Sequence, residues 1–243
     1  MIVVRREDVL HKTQLLRLLS ALFDNPVLSK GILFKGGTCA SMLGYLDRFS
    51  VDLDFDLEPG QVEDVLRKEF HGVFKNLDFK IKDESKKALE FFLEYISPKN
   101  SRNTIKVDAL NQFYKSNVYK AQLLPEINRY AKCATIETMF SHKLIAPVDR
   151  YKKHKSIAGR DIYDIHHFFM NGYKFIPEII EERTGRSVKD FLVELEGFIE
   201  KHISERQITE DLSPLLLPEK FQKLRKILKS ETLMMIRNER GNW

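Results

Sequence analysis

Cysteine is scarce in this 243-residue chain, and the two present, Cys39 and Cys133, show neither metal-ligand spacing nor a disulfide framework. A disulfide-stapled fold is excluded, and the usage fits a reducing cytoplasm. Nowhere does an apolar run approach the ~20 residues needed to span a bilayer, which excludes a membrane-embedded helix. The start, Met1-Ile2-Val3-Val4-Arg5-Arg6-Glu7-Asp8, lacks the basic-then-apolar order of a signal peptide. Internal repeats and low-complexity tails are missing too. What remains is 43% hydrophobic and 11% aromatic, enough for a real core in one large domain or two small ones. The formal net charge of +5 is a modest excess that suits a polyanionic partner.

Against that background Lys35-Gly36-Gly37-Thr38 stands out, followed after a short segment by Ser50-Val51-Asp52-Leu53-Asp54-Phe55-Asp56. Ile32, Leu33 and Phe34 read as a short buried strand that the glycines end. Glycine tolerates positive φ and leaves backbone N–H groups uncovered, so a phosphate can approach the main chain closely. Thr38 adds a hydroxyl and is placed to cap a helix expected over residues 39–46. A helix N-terminus facing phosphate gains from backbone donors and the dipole. The Gly-Lys-Ser/Thr ending of a Walker A loop is missing. An ordinary strand-to-helix turn also accounts for the glycines taken alone.

The acid run is sharper. Side chains alternate along a strand, so Asp52, Asp54 and Asp56 share one face while Val51, Leu53, Phe55 and Leu57 share the other. Carboxylates stacked on one face repel unless a cation or water lies among them. Mg²⁺ (or Mn²⁺) takes hard oxygen ligands, usually one or two carboxylates with substrate phosphates and waters. Two rivals stand beside that reading. One is a solvated edge strand whose acids resist aggregation. The other is a calcium loop with Glu63 at the twelfth position, although Leu57 then sits where such a loop needs glycine. Asp56 is either an extra ligand or a polar strand residue. Asp108 lies on a second expected strand, opposite in face to Ile105, Val107 and Ala109, and is either a surface acid or a third ligand.

Lys35-Gly36-Gly37-Thr38, with Arg48-Phe49-Ser50-Val51-Asp52-Leu53-Asp54-Phe55, resembles the first motif of the AbiEii/AbiGii toxin family, nucleotidyltransferases of the DNA polymerase β-like superfamily. The stretch from Met139 to Arg150 is similar to that family's lysine-bearing helix, and Gly159-Arg160-Asp161-Ile162-Tyr163-Asp164-Ile165 to its Arg-Asp-h-Tyr-Asp-h stretch. The likeness covers about residues 28–172. Pro147 departs from a clean helix interior and predicts a kink or an early break.

The resemblance implies nucleotide binding at Gly36, Gly37, Thr38 and Ser50, and metal binding at Asp52 and Asp54 with Asp108 completing a triad. It implies a phosphate contact from Lys143, and Asp161 at the substrate end of the site. Simpler readings stand beside these: a solvated Lys143, a salt bridge plus helix cap at Arg160 and Asp161, and a structural Asp164.

The expected fold is α+β: a nucleotidyltransferase-like mixed β-sheet with flanking helices over residues 1–133, followed by a helical C-terminal lobe over 134–243 that contributes lysine and aspartate to the cleft. Helices are expected over 7–23 and 61–76, strands near 77–82, 88–97 and 103–112, and a hairpin turn at Asn100-Ser101-Arg102-Asn103. Further helices are expected over 135–149, 160–171, 176–184, 187–203 and 218–236.

Arg150, Lys152, Lys153, Lys155 and Arg160 concentrate positive charge, which either positions an RNA backbone without reading sequence or is a solvated loop. His166 and His167 are adjacent on a helix and do not face each other, so a shared metal is not expected. The leading reading is a Mg²⁺-dependent nucleotidyltransferase that moves a nucleoside monophosphate from a nucleoside triphosphate (NTP) to an acceptor hydroxyl. The acceptor favoured is RNA, with the 3′ end of tRNA as the target. By the resemblance the chain is a toxin of a toxin–antitoxin or phage-defence system, with a separately encoded antitoxin as partner. The rivals are nucleotide transfer to a protein side chain and a catalytically silent nucleotide- or RNA-binding module.

Overall fold

Over Thr104–Leu110 every second residue, Ile105, Val107 and Ala109, is buried, the period-two pattern of a strand with one face in the core. The structure, a computed structural model, describes residues 5, 6, 8–99 and 101–243. Asn100 of the expected hairpin turn, Met1–Val4 and Glu7 lie outside the described residues. The chain divides into two units, one running up to Phe113 and resuming over Tyr119–Ala134, the other made of Tyr114–Val118 and Thr135–Trp243.

The first unit contains α1 (Asp8–Asp24), α2 (Leu28–Gly31), β1 (Ile32–Lys35), α3 (Gly36–Met42), β2 (Leu53–Leu57), α4 (Glu63–Asn76), β3 (Lys80–Glu84), β4 (Leu89–Glu94), β5 (Thr104–Leu110), β6 (Tyr119–Leu124) and β7 (Arg129–Ala134). Among the described residues these strands form one sheet in the order β3-β4-β5-β2-β1-β7-β6. The sheet is mixed: β1–β7 and β2–β5 are parallel and the other pairs antiparallel. The β6–β7 hairpin answers to no expected element. Its strand β6 is an edge with mostly exposed or half-buried residues, so its apolar alternation is faint. Asn128, at φ 51, makes its turn.

Leu15, Leu18, Leu19 and Leu22 are fully buried on α1, the spacing of one helical face. Phe34 of β1 and Phe55 of β2 lie 5.3 Å apart, and Phe23 of α1 meets both edge-on at 6.1 and 6.3 Å. Phe70 and Phe74 of α4 pack on Phe91 of β4 at 5.4 and 5.1 Å. Such pairs add about 0.5–1.5 kcal/mol each beyond the area they bury. The apolar face of β1 and β2 is thereby held rigid, and their polar face is positioned by it.

The second unit contains α5 (Ile136–His154), α6 (Gly159–Met170), α7 (Pro177–Thr184), α8 (Val188–His202), α9 (Glu205–Leu212), α10 (Pro218–Leu224) and α11 (Leu228–Arg240). Tyr114–Val118 joins this unit through hydrogen bonds. The backbone N–H groups of Lys115 and Ser116 donate to Glu182, and Val118 bonds with Thr135 and Thr138. Thr135 caps α5 and Ser187 caps α8. A capping box of Ser204 and Gln207 starts α9, a helix not among those expected from the sequence. The helix expected over 218–236 is two helices, interrupted between Leu224 and Leu228. Pro147 does not break α5, which continues to His154. Its missing N–H deprives the Lys143 carbonyl of one helical donor, while buried Leu144, Ile145 and Val148 hold the turn in place.

α1 also carries a fully buried histidine, His11, whose Nε2 lies 2.8 Å from the Val51 carbonyl and Nδ1 2.7 Å from the Tyr95 hydroxyl. Burial dominates and lowers its pKa from 6.5 to about 4, against the raising effect of the Val51 carbonyl; Arg102 adds to the lowering and Asp8 opposes it. Between those values the unfolded chain binds a proton that the folded chain refuses. Stability is therefore lost as pH falls from 6.5 toward about 4, by at most about 3 kcal/mol. Urea unfolding midpoints are expected to drop between pH 7 and pH 4.5, and to drop less in His11→Gln. Equal slopes for both proteins would refute this account.

Candidate active site

The centre of the site is set by strand register. In the antiparallel β1–β2 pair Lys35 lies opposite Asp54, and in the parallel β2–β5 pair Asp54 lies opposite Asp108. The chain leaves β1 through Gly36 at φ +78 and enters α3 directly. A Cβ on Gly36 would fall 2.2 Å from Asp54 Oδ2 and 2.8 Å from its Cβ and Cγ. The carboxylate thus rests against a bare backbone, and both the dihedral and the contact demand glycine. A Cβ on Gly37 would meet Ser50 Oγ at 2.9 Å and Arg48 Nη2 at 3.2 Å. The second glycine lets the segment before β2 close over α3.

Thr38 does not cap α3. The helix begins at Gly36, Thr38 lies inside it, and its hydroxyl donates to the Asp52 carbonyl at 2.5 Å. Arg48, 3% exposed, donates Nη1–H to the Phe49 carbonyl at 3.0 Å, and Ser41 donates to the Arg48 carbonyl at 3.2 Å. Ser50 is buried against Gly37. Asp52 falls just before β2, so the acid run is two strand residues and one on the approach. This paired strand also excludes the calcium loop.

The three acids have separate fates. Asp56 is buried, with Oδ1 receiving Lys35 Nζ at 2.5 Å and Oδ2 receiving the Tyr119 hydroxyl at 2.5 Å. Both its oxygens are occupied by the protein, so Asp56 is a brace rather than an extra ligand. Asp108 receives Lys106 Nζ on Oδ2 at 3.0 Å, and Lys106 also bonds Glu90 at 2.6 Å. Asp108 Oδ1 is buried and has no hydrogen-bond partner among the described residues. Burial raises the Asp108 pKa; Lys106 opposes this, and the charges of Asp54 and Glu90 add to it. A buried carboxylate oxygen without a donor, beside a second carboxylate, is what a hard cation would satisfy. Among the described residues no three His, Cys, Asp or Glu side chains converge as a ready cation cage. The donor set fits a metal that draws its other ligands from phosphate and water.

Within the first unit Gly36 rests on Asp54, Gly37 on Ser50, Thr38 on the Asp52 carbonyl, and Asp54 lies in register with Asp108; among the described residues the side chains of Asp52, Asp54 and Asp108 do not gather as the expected triad. Lys143 and Asp161 belong to the second. Lys143 on α5 pairs with fully buried Asp164 on α6 at 2.7 Å, which gives Asp164 a structural role. Asp161, 1% exposed, pairs with Arg150 at 3.1 Å. The expected salt bridge thus uses Arg150 and not Arg160.

Of the other basic residues, Lys152 pairs with Glu194 at 2.9 Å and Lys155 lies 5.1 Å from the Tyr151 ring centroid. Lys153 and Arg160 form no hydrogen bond, ion pair or cation–π contact with the described residues. Arg150 and Arg160 line a polar cavity of about 250 Å³ with Ser156 and Asp211. The sequence reading missed Asp211, which accepts from the Gly159 N–H at 2.6 Å and so caps α6 from α9. His166 bonds Glu231 while His167 stacks on Tyr163, so the two histidines do separate things. Cys39 and Cys133 are free and buried, and burial with the neighbouring Cys133 pushes the Cys39 thiol well above its ordinary pKa.

Two outcomes follow. Gly36→Ala adds a collision to its dihedral strain, whereas Gly44→Ala, at φ +79 with open space, carries strain alone. Gly36→Ala is expected to be less stable than Gly44→Ala by roughly 1–3 kcal/mol in urea unfolding, and parity would refute the Gly36–Asp54 contact. Asp108→Asn removes a buried charge facing Asp54, so its Tm without metal should equal or exceed that of the parent. Any rise in Tm on adding Mg²⁺ or Mn²⁺ should shrink in this variant. An undiminished rise would remove Asp108 from the cation site.

Comparisons with known proteins agree in direction. A family model described as nucleotidyl transferase AbiEii toxin, type IV toxin–antitoxin system, matches residues 17–232. Among curated proteins none matches. The fold is similar to that of MenT4, a nucleotidyltransferase toxin from Mycobacterium tuberculosis, with a TM-score of 0.62 at 15% identity over 98% of this chain and 89% of that one. It is also similar to JHP933 from Helicobacter pylori, with a TM-score of 0.55 at 19% identity over 97% and 94% of the two chains. A second H. pylori protein, a proposed nucleotidyltransferase, gives a TM-score of 0.59 at 19% identity over 98% and 97%.

Proposed function

The chain belongs to the AbiEii nucleotidyl transferase toxin family of type IV toxin–antitoxin systems, and from that premise we propose that it transfers a nucleoside monophosphate from an NTP to a hydroxyl on RNA, the 3′ end of tRNA being the favoured acceptor. It is a nucleotidyltransferase by family. The observation that best supports this use of the site is the Asp54–Asp108 pair, in register against Gly36 with one buried oxygen unmatched. A divalent cation, Mg²⁺ or Mn²⁺, would be held by Asp54 and Asp108 with Asp52 beside them. When bound it would lower the pKa of the attacking hydroxyl and stabilise the leaving pyrophosphate.

The residues of the chain supply the rest. The turn at Gly36 and Gly37 exposes backbone N–H groups to the triphosphate. Thr38 holds the Asp52 peptide still. The acceptor oxygen forms a bond to the α-phosphorus, the bond to the bridging oxygen breaks, and pyrophosphate leaves with that electron pair. The hydroxyl proton is lost to water as that bond forms, because Asp54 and Asp108 are both given to the cation. Lys143, held in place by Asp164, is assigned to phosphate as a compact cation. The net charge of +5, with Lys153 and Arg160 unpaired among the described residues, supports an RNA backbone as partner. An antitoxin protein is the regulatory partner the family implies.

Incubation with Mg²⁺, total tRNA and each α-labelled NTP in turn should place label on tRNA, and Asp54→Ala should lower the rate at least about a hundredfold. Label on protein in place of RNA would move the acceptor to a side chain. Label that persists in Asp54→Ala would overturn the assignment of the site.

A further inference from the structure

The helical unit holds a second cavity, of about 300 Å³, that the chemistry above does not use. Four aromatic rings line it, those of Phe169, Tyr173, Phe175 and Trp243, together with Lys174, Glu239 and Asn242. Its inner wall is fixed from behind. Fully buried Phe140 meets Phe169 edge-on at 4.8 Å and Phe175 edge-on at 5.9 Å, while Phe168 meets Tyr173 edge-on at 5.9 Å. Trp243 is 48% exposed and lies 6.2 Å from Phe175 at a 32° tilt. Its indole N–H donates to Glu239 at 3.3 Å, and the Asn242 amide donates to the same carboxylate at 3.3 Å. With the N–H engaged, the face of the ring is what the indole still offers. Lys174 is exposed and forms no hydrogen bond or ion pair with the described residues.

We propose that this cavity is a stacking site for one unpaired nucleobase of an RNA strand, with Lys174 on the adjoining phosphate. The proposal rests on the reading that RNA is the acceptor. A base needs a π-face, polar groups at its edge and a cation for the phosphate it carries, and Trp243, Glu239 with Asn242, and Lys174 supply them in turn. The carboxylate of Glu239 accepts hydrogen bonds, so bases with an exocyclic amino group suit it better than uracil. The cavity is at the small end of ligand sites. A stable protein interface covers about 800 Å² on each partner, which is more than one such recess offers.

The chain has a single tryptophan, so a base that stacks on it reports its own arrival. Titration of the full-length protein with a short single-stranded oligoribonucleotide should quench tryptophan fluorescence in a saturable way. The same oligomer made abasic should leave the fluorescence nearly unchanged. With a fluorescein-labelled oligomer followed by anisotropy, Trp243→Ala should bind roughly tenfold more weakly and Trp243→Phe should recover most of that loss. Lys174→Ala should weaken binding and flatten its salt dependence. Far-UV circular dichroism checks that each variant is folded.

Absent quenching, or equal quenching by the abasic strand, overturns the stacking site. Label transfer to tRNA together with wild-type binding by Trp243→Ala overturns it too, while leaving the acceptor reading intact. Quenching by the oligomer without label transfer to any RNA keeps the stacking site and overturns the acceptor reading, because the binding assay needs no catalysis.

Discussion

Two like charges held face to face are the constraint around which the sheet of the first unit is organised. The parallel register of β2 and β5 sets Asp54 opposite Asp108, an arrangement that destabilises a sheet when nothing intervenes. Lys106 relieves one oxygen of Asp108 and divides itself with Glu90; the other oxygen is left bare. The opposite face of the same strands carries Leu53, Phe55, Val107 and Ala109, all buried. Apolar packing therefore holds together what electrostatics would push apart. The unfavourable proximity is thereby built into the sheet.

Around that pair the approach to β2 is immobilised without being a strand. The Phe49 carbonyl receives Arg48, the Val51 carbonyl receives His11, and the Asp52 carbonyl receives Thr38. Successive stretches of backbone are pinned by buried side chains from three different elements or loops. Asp56 is tied on either side by Lys35 and Tyr119. Such support orders these acids before any binding event.

Much of this was legible in the residue types. The α+β class followed from the alternation over β2 and β5 and from the helical spacing of α1, where burial is strong and the pattern clean. The bare turn at Gly36 and the acids at two-residue spacing were visible as a pattern, though an ordinary turn and an edge strand accounted for them as well until the register placed Gly36 on Asp54. The β6–β7 hairpin was not legible, since an edge strand with exposed residues leaves little periodicity to read. The start of α9 was present as Ser204 followed by Gln207 and went unread. The early break that Pro147 suggested does not occur, because local propensity yields to the buried face of α5. The supporting bonds were out of reach for another reason: His11 is 40 residues from Val51 and Tyr119 is 63 residues from Asp56. Nothing local marks either residue as anything but an ordinary histidine or tyrosine.

The contact between Gly36 and Asp54 also has a genetic side. Any change at the first or second base of a glycine codon replaces glycine by a residue with a Cβ or by a stop, and here that Cβ lands on a carboxylate oxygen. The position therefore tolerates no conservative missense drift.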